Sequence, residues 1–291
     1  MTTPTNNPAA TGILTIVCPD RTGIVAAVSG FLAEHNGNIV DAQQHTDPLP
    51  NVLFMRIEFD PSAMDLPREE IGQALAPIGD RFAMRIGLRF TDEPCAMGIM
   101  VSREEHCMMD LLMRQRIGEL AVRIPVIIGN HPHLAHLGEA FDVPFHVVPV
   151  TDANRSEAEA TAIQILHDAG CHFVVLARYM QILSPLFLDA FPMAIINIHH
   201  GFLPAFAGAR PYHQAAERGV KLIGATSHYA TATLDDGPII DQDVIRVSHR
   251  DSVEDLIRKG RDVERMVLAR AVRAHAEDRV IVYGNRTVVF D

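Results

Sequence analysis

The sequence is poor in cysteine and contains no long, uncharged apolar run. Its four cysteines are scattered without the spacing of a metal site or a disulfide framework, which indicates a reducing compartment. No apolar run reaches the ~18 residues that a membrane-spanning helix requires. Residues 1–10 are polar and lack the basic and apolar segments of a signal peptide. We therefore expect a soluble, cytoplasmic protein without a membrane partner.

Basic residues are outnumbered by acidic ones, 25 against 36, which gives a formal net charge of -11. A chain of this charge is not expected to bind nucleic acid or an anionic membrane surface, because both need a basic face. Hydrophobic residues make up 48% and charged residues 21% of the chain, values typical of a globular protein. The length of 291 residues leaves room for two domains.

The first ninety residues alternate strand and helix patterns. Apolar residues recur at a helical period from Ile24 to Leu32, and the segment Asn36-Gly37-Asn38 suits a helix end. Strands are predicted at 12–18, 39–44, 51–59 and 83–90, and helices at 24–35 and 68–76. The resulting order, βαββαβ, predicts a ferredoxin-like sandwich.

A short polar break at residues 91–94 predicts a domain boundary. We expect a flexible N-terminus at 1–11, a first domain at 12–90, a linker at 91–95 and a second domain at 96–291. In the second domain, strands are predicted at 97–101, 123–128, 144–148, 173–176, 194–198, 222–229 and 239–247, with the longest helix at 253–275. Near-continuous apolar strands indicate a sheet buried on both faces. The fold class is therefore α/β, with a Rossmann-like, mostly parallel, doubly wound second domain.

An apolar run ends in two polar residues, Asn197 and His199, within the segment 195–204. Residues two apart on a strand project to the same face, so both side chains are expected to point together past the strand end. Open α/β sheets bind ligands at the carboxyl ends of their strands. An amide donor and an imidazole there can polarise a carbonyl and stabilise an oxyanion.

A carboxylate follows about thirty residues later, in the sequence Leu234-Asp235-Asp236-Gly237-Pro238. Spacing alone does not separate Asp235 from Asp236, although an Asp-Gly pair favours a turn and so gives Asp236 the structural role. An amide, a histidine and a carboxylate without an obvious covalent nucleophile indicate attack by water or an amine on an acyl group.

Two further patterns have simpler interpretations. His131, His133 and His136 have the spacing of metal ligands, but no carboxylate or cysteine completes the set, so we expect surface histidines, with Asn130 capping a helix. Cys107 follows His106, and neighbours on a helix point in different directions, so we expect no contact between them and a buried, inert thiol.

The N-terminal region resembles an ACT domain, a small-molecule-sensing module, through residues 18–25 and the corner at 36–39. The resemblance implies a homo-oligomer that binds a small amino-acid effector. The implied effector-binding residues are Asp20, Gly23, Ile24, Asn38 and Ile39. The alternative, that Asp20 and Asn38 only build turns, stays open.

The segment 197–238 resembles the catalytic region of folate-dependent formyltransferases and hydrolases. The matching residues are Asn197-Ile198-His199, Phe202-Leu203-Pro204, Gly208, Gln214-Ala215, Gly224-Ala225-Thr226, His228 and Leu234-Asp235-Asp236-Gly237-Pro238. The resemblance implies that Asn197, His199 and Asp235 are catalytic. It therefore favours Asp235 over Asp236 as the catalytic carboxylate. His228 is expected either to contact these residues from the side away from the substrate or to pack under the loop that carries Asp235.

Residues 177–184 resemble the folate-binding loop of the same family. Substrate contacts are implied at Tyr179, Met180, Gln181, Ile182, Leu183, Ala230 and Gly237. With the ACT-like region included, residues 12–291 resemble the formyltetrahydrofolate deformylase family. This implies hydrolysis of 10-formyltetrahydrofolate to formate and tetrahydrofolate, which supplies formate for purine synthesis and balances one-carbon folate pools, without a metal or a permanently bound cofactor. A formyltransferase to an unidentified amine and an inactive regulatory binding protein are the alternatives.

Departures from related families favour water as the acceptor. Glycinamide ribonucleotide formyltransferases carry a Gly-rich phosphate loop where residues 101–107 here contain two carboxylates and no glycine. The basic C-terminal domain of methionyl-tRNA formyltransferases has no counterpart before Asp291. Gly201 and Ala205 stand where the wider family usually has serines, so the hydrogen bonds of that loop do not follow from the resemblance.

Overall fold

The computed structural model describes residues 10–205, 208 and 210–291 and divides into two compact units. The first contains the chain up to Glu93 together with Glu277–Ile281 and Val288–Asp291; the second contains Pro94–Ala276 and Val282–Thr287. Residues 1–9 of the expected flexible N-terminus lie outside the described residues.

The first unit has the predicted βαββαβ order. Its elements are β1 (Gly12–Pro19), α1 (Ile24–Glu34), β2 (Asn38–Asp47), β3 (Val52–Asp60), α2 (Arg68–Phe82) and β4 (Arg85–Phe90). The sheet order is β2-β3-β1-β4, and every neighbouring pair is antiparallel. Helix α1 begins directly after Gly23, whose φ of 98° is a conformation that favours glycine. The ferredoxin-like sandwich is confirmed.

Helix α2 extends further than its sequence predicts. The sequence predicts an end at Ala76, but the helix continues to Phe82 with Pro77 inside it. Ile71, Leu75 and Phe82 are buried at helical spacing, and this packing continues the helix past the proline. Ala83 then ends it in the left-handed conformation, with φ 53°, which delays β4 until Arg85.

The second unit is built on a seven-stranded sheet with the order β11-β10-β9-β8-β5-β6-β7. Its strands are β5 (Cys95–Val101), β6 (Val122–Gly129), β7 (Phe145–Val147), β8 (Phe173–Ala177), β9 (Ile195–His199), β10 (Leu222–Tyr229) and β11 (Ile239–Arg246). Its helices are α3 (His106–Arg116), α4 (Ala135–Phe141), α5 (Arg155–Asp168), α6 (Pro185–Ala190), α7 (Pro211–Glu217) and α8 (Val253–Ala276). Strands β5 to β9 pair in parallel, whereas β10 is antiparallel to both of its neighbours. The mostly parallel, doubly wound sheet is confirmed.

The chain ends in a short strand pair that the sequence patterns do not predict. Strands β12 (Val280–Tyr283) and β13 (Arg286–Val289) pair with each other across Gly284. Shortly before β12, the carbonyl of Glu277 accepts a hydrogen bond from the buried Arg56 at 3.1 Å. None of the helices in the described part of the chain is both long and apolar enough to cross a membrane.

The sheet topology determines where a ligand can bind. After β7 the chain returns to the other side of β5, so β5 and β8 form the point at which strand order reverses. Ligands of open α/β sheets bind outside the carboxyl ends of strands at such a point. Leu176 of β8 lies opposite Asn197 of β9, which brings the ends of these two strands to the same edge.

Candidate active site

The structure brings His199 and Asp235 into contact. The Nδ1 atom of His199 lies 3.3 Å from Oδ1 of Asp235, and the two side chains are only 4% and 7% exposed. The N–H of Gly208 donates to the other carboxylate oxygen of Asp235 at 3.1 Å. Asp235 itself has a left-handed backbone, with φ 55°, which turns its side chain inward from the loop between β10 and β11.

The carboxylate of Asp235 is held in its ionised form. Burial acts to raise its pKa, but the hydrogen bond and charge of His199, with the Gly208 N–H, outweigh burial and lower the pKa. Asp236, in contrast, is exposed. The geometry therefore favours Asp235 as the residue that can exchange a proton.

Asn197 is oriented by His228 from the neighbouring antiparallel strand. Its amide Nδ2 lies 3.1 Å from Nε2 of His228, while Nδ1 of His228 lies 2.9 Å from the carbonyl oxygen of Tyr229. A carbonyl only accepts, so Nδ1 carries the proton and Nε2 accepts from the amide. Burial lowers the pKa of His228, which favours this neutral form. His228 thus lies behind Asn197, between its amide and the Tyr229 carbonyl.

The loop after β8 presents a mixture of buried and exposed side chains. Tyr179 is buried in the core, where burial and the nearby Glu159 raise its pKa to about 12. Met180 and Ile182 are 59% and 61% exposed, and Leu183 packs against the core. Gln181 is half-buried. Any ligand on this loop would therefore meet the exposed side chains and the backbone rather than the Tyr179 ring.

Ala230 and Gly237 flank the loop that carries Asp235. The N–H of Ala230 donates to the carbonyl of Ile195 at 2.8 Å, which ties the loop to β9. A Cβ at Gly237 would lie 1.7 Å from the carbonyl oxygen of Tyr229, so this position accepts only glycine in the observed conformation.

The loop after β9 is held by a threonine and a glutamine. The Thr226 hydroxyl donates to the carbonyl of Gly201 at 2.9 Å and accepts from the N–H of Leu203 at 3.0 Å. The Gln242 amide donates to the Leu203 carbonyl at 2.9 Å. These bonds fix the loop, although Gly201 and Ala205 stand where the wider family usually has serines.

A buried polar cluster that the sequence reasoning missed surrounds Glu264 of α8. Its side chain is 1% exposed; it accepts from Nε2 of His106 at 2.9 Å and from the Tyr212 hydroxyl at 2.5 Å. Nη1 of Arg178 lies 3.5 Å away. Burial acts to raise the pKa of Glu264, but the His106 hydrogen bond and the Arg178 charge lower it to about 2. No local sequence signal joins these residues, which come from four separate segments.

His200 lies between this cluster and His199. Its ring centroid is 5.4 Å from that of His199 and 5.8 Å from that of Tyr212. Burial, and then the charge of Arg178, lower the pKa of His200 to about 3, so the ring is neutral at ordinary pH. It also lines an apolar cavity of about 270 Å³ with Phe202 and Val244. Neighbouring residues on a strand ordinarily project to opposite faces, yet the structure places the ring of His200 beside that of His199.

One group of potential metal ligands occurs among the described residues, namely His106, Cys107 and Glu264, whose ligand atoms lie within 4.8 Å of one another. The ring of His106 and the thiol of Cys107 thus lie near each other, although no hydrogen bond joins them among the described residues. The group does not fit a metal ion, because Arg178 already supplies a positive charge and His106 is bonded to Glu264. Burial and the charge of Glu264 raise the pKa of Cys107 far above its usual value, so its thiol is neutral, as expected.

The histidines near the end of β6 form ordinary contacts. His131 accepts from Nε of Arg103 at 3.2 Å, and His133 donates to the Arg103 carbonyl at 2.9 Å. Asn130 does not cap a helix; it is buried, and its amide donates to the Tyr179 carbonyl at 3.2 Å.

In the first unit, three of the five expected effector-binding residues line one cleft. Asp20, Gly23 and Ile24 border a space of about 600 Å³ together with Gln44 and Thr46. Asn38 and Ile39 do not line it; Asn38 is exposed and Ile39 packs against the core. The start of α1 faces this cleft, so its N-terminal N–H groups are placed where an anionic group could bind.

Comparison with known proteins agrees with this architecture. Residues 97–272 match the formyl transferase family model, and residues 12–76 match the ACT domain model. Formyltetrahydrofolate deformylase of Synechocystis sp. is 49% identical over 96% of this chain and 98% of that protein, and the Bacillus subtilis enzyme is 48% identical over 96% and 94%. The crystal structure of a formyltetrahydrofolate deformylase from Pseudomonas syringae pv. tomato has a TM-score of 0.96 and 48% identity, covering 99% of this chain and 96% of that one.

Proposed function

We propose that the protein, which belongs to the formyltetrahydrofolate deformylase family, hydrolyses 10-formyltetrahydrofolate to formate and tetrahydrofolate. The observation that carries the proposal is the buried contact between His199 and Asp235, with Asn197 on the same strand. This arrangement supplies donors for an oxyanion and an acceptor for a proton, which is what hydrolysis of a formamide by water requires.

The reaction proceeds through a tetrahedral intermediate. The water oxygen forms a bond to the formyl carbon, a water proton passes to Asp235, and the carbonyl electron pair becomes an oxyanion. The Asn197 amide and the His199 ring stabilise that oxyanion, and preorganised donors of this kind are worth roughly 3–4 kcal/mol each. As the intermediate collapses, the C–N bond breaks and the folate nitrogen takes the proton from Asp235. Formic acid then loses a proton to solvent and leaves as formate.

The folate is proposed to bind on the loop side of His199. Contacts are assigned to the backbone of Tyr179 and to Met180, Gln181, Ile182, Leu183, Ala230 and Gly237. The exposed side chains of Met180 and Ile182 offer apolar surface, and the tight turn at Gly237 keeps the loop backbone close to the sheet. His228 acts through Asn197 and does not touch the substrate.

The chemistry needs neither a metal nor a permanently bound cofactor. The three side chains hold the oxyanion and move the proton. In the His106, Cys107 and Glu264 group, the positive charge of Arg178 lies 3.5 Å from Glu264. Exhaustive chelation is expected to leave turnover unchanged, and activity that is lost with chelator and restored by zinc would contradict this assignment.

The first unit is proposed to sense a small amino acid within a homo-oligomer. The cleft at Asp20, Gly23 and Ile24 has the start of α1 at its wall, which suits a carboxylate. We assign residues 12–90 to this regulatory domain, 91–95 to a linker and 96–291 to the catalytic domain, although 277–281 and 288–291 belong to the first compact unit. We place the formate product in purine synthesis and the balance of one-carbon folates.

The decisive experiment measures formate release from 10-formyltetrahydrofolate by the full-length protein without any added amine. Stoichiometric formate and tetrahydrofolate are expected. Turnover that requires an amine, with the formyl group recovered on that amine, would identify a transferase instead. Folate binding without turnover under all conditions would identify a binding protein.

A further inference from the structure

Arg178 occupies an unusual position at the carboxyl edge of the sheet. It is the first residue after β8, and its backbone is left-handed, with φ 62°, a conformation that arginine rarely adopts. Its side chain is only 13% exposed and is turned toward the buried Glu264. Strained backbone of this kind persists where the surroundings hold it, and it is common at functional sites.

Two of the three guanidinium nitrogens of Arg178 are buried without a hydrogen-bond partner. Its Nε and Nη1 atoms are buried and form no hydrogen bond, since the contact from Nη1 to Glu264 is 3.5 Å long. Glu264 is already bonded to His106 and Tyr212. Buried N–H groups almost always have a partner, and where the protein supplies none the partner is a water or a ligand.

His200 offers the complementary group. Within the described residues its ring nitrogens form no hydrogen bond, and its contacts are with the rings of His199 and Tyr212. Because the ring is neutral, one of its nitrogens is an acceptor. Arg178 and His200 border the same cluster: the His200 ring lies 5.8 Å from that of Tyr212, which is bonded to Glu264, and Arg178 lies 3.5 Å from Glu264. His200 also adjoins the catalytic His199.

We propose that Arg178 and His200 bind the attacking water beside His199 and thereby make water, rather than an amine, the acceptor of the formyl group. This inference rests on the hydrolysis proposed above and adds the two residues that hold its nucleophile. Glu264, held by His106 and Tyr212, positions Arg178.

The hydrogen bonds of the water fit this assignment. The water oxygen accepts from Arg178, one of its hydrogens is donated to a ring nitrogen of His200, and the other is directed to Asp235. The remaining lone pair attacks the formyl carbon, and the proton directed to Asp235 is the one transferred. His200 orients the water without taking its proton, because its lowered pKa makes it a weak base.

The charge of Arg178 also selects against amines. Most amine acceptors are ammonium ions near neutral pH, and a fixed guanidinium repels them, whereas a neutral water is not repelled. The same charge favours the product, because the oxygen delivered by water becomes one of the two anionic oxygens of formate. Arg178 is therefore expected to contact formate until it leaves.

The test compares Arg178→Gln with Arg218→Gln, the same change at an exposed position at the end of α7. Loss of a preorganised donor is expected to lower the kcat of Arg178→Gln about 10²-fold. Product inhibition by formate should weaken about tenfold or more through loss of a charge-assisted hydrogen bond. The KM for folate should stay within a few-fold of wild type, and Arg218→Gln should match wild type throughout. Arg178→Lys, which keeps the charge, should recover part of the formate inhibition.

A second arm uses His200→Gln, which keeps an acceptor, and His200→Phe, which does not. His200→Gln is expected to retain more turnover than His200→Phe. With hydroxylamine present, the share of formyl groups captured by the amine should rise in Arg178→Gln above wild type and above Arg218→Gln. Thermal midpoints of all variants identify any that fail to fold, and Arg178→Lys then decides the outcome.

The proposal is overturned if folded Arg178→Gln keeps wild-type kcat and wild-type formate inhibition, or if the two His200 variants lose activity equally. A failure of the underlying function is recognised separately, because wild-type protein would then release no formate in the same assay. If the wild-type protein hydrolyses the substrate and the Arg178 and His200 variants are as active, only the water-binding assignment is contradicted.

Discussion

Asn197 and His228 lie opposite each other on the antiparallel strands β9 and β10, joined by a 3.1 Å hydrogen bond from the amide to the imidazole. The other ring nitrogen of His228 is anchored on the Tyr229 carbonyl, so the ring cannot turn without breaking that bond. The backbone therefore fixes the imidazole, and the imidazole fixes which edge of the Asn197 amide carries its donors.

Removal of this support should slow the chemical step without weakening folate binding. His228→Ala is expected to lower kcat about tenfold, the order expected when one supporting hydrogen bond is lost, with KM little changed. His228→Gln keeps an acceptor for Asn197 and should be closer to wild type. Steady-state kinetics of both variants provide the check; equal losses in the two would argue that His228 only fills space.

Replacement of Asp235 should nearly abolish hydrolysis. Asp235→Asn removes the proton acceptor and the ionic partner of His199, and loss of general-base assistance typically costs ~10²–10⁴-fold in rate. Folate binding, measured by equilibrium titration, should survive. Asp236→Asn is the matched control, because Asp236 is exposed, and it should be nearly normal. Near-normal turnover in Asp235→Asn together with a loss in Asp236→Asn would show that Asp236 is the catalytic aspartate.

Gly237→Ala should disable the loop that carries Asp235. The added Cβ would lie 1.7 Å from the Tyr229 carbonyl oxygen, so the loop backbone must shift. We expect a large loss of kcat with folding retained, as read by circular dichroism. Gly30→Ala is the control, since a Cβ there meets nothing within 4 Å inside helix α1, and the change should stabilise the helix by up to ~1 kcal/mol. Normal turnover in Gly237→Ala would contradict the geometry.

Glu264 should make the free energy of unfolding decrease at acid pH. Folding lowers its pKa from 4.5 to about 2. Between those values the unfolded chain binds more protons, so the stability from this carboxylate is complete above about pH 4.5 and is lost as the pH falls toward 2. Glu264→Gln should therefore unfold at lower denaturant concentration than wild type at pH 7, and the difference should shrink from pH 5 to pH 3. Glu217→Gln, at an exposed position, serves as the reference. A difference that stays constant with pH would refute the assignment.

A small amino acid should change the turnover of the full-length protein. Regulation requires an effector to bind two states unequally, typically with a coupling of ~1–3 kcal/mol, so the change in affinity should be about 5–150-fold. The common amino acids are screened by initial rate and thermal midpoint, and the response should be lost in Asp20→Ala, which alters the cleft wall. If none of them has an effect, the first unit serves assembly rather than sensing.

Local patterns in the sequence predict the elements that follow a simple period. Asn197 and His199 are two apart on a buried strand, so their common direction follows from the geometry of any strand. Both folds follow from the order of apolar segments. The strand pair at the C-terminus escapes prediction because its strands are short and only partly buried, and the continuation of α2 past Pro77 depends on packing that a local pattern does not contain.

The cluster around Glu264 lies beyond local sequence reasoning for another reason. His106, Arg178 and Tyr212 meet Glu264 only because the sheet order brings the starts of α3 and α7, the end of β8 and helix α8 to one edge. A glutamate on an amphipathic helix ordinarily faces solvent. Its burial becomes visible only when its three partners are placed in space.

The loop from 230 to 238 is closed at its base, where Tyr229 bonds to Pro238 and His228 pairs with Ile239. These pairings join β10 and β11 at the base of the loop, whereas the 3.3 Å contact of Asp235 with His199 depends on the path of the loop between them. A single inserted or deleted residue there would leave the hairpin able to form and yet misplace the carboxylate. We expect such variants to fold and to lose turnover, so a library of length variants would separate folding from catalysis within one short segment.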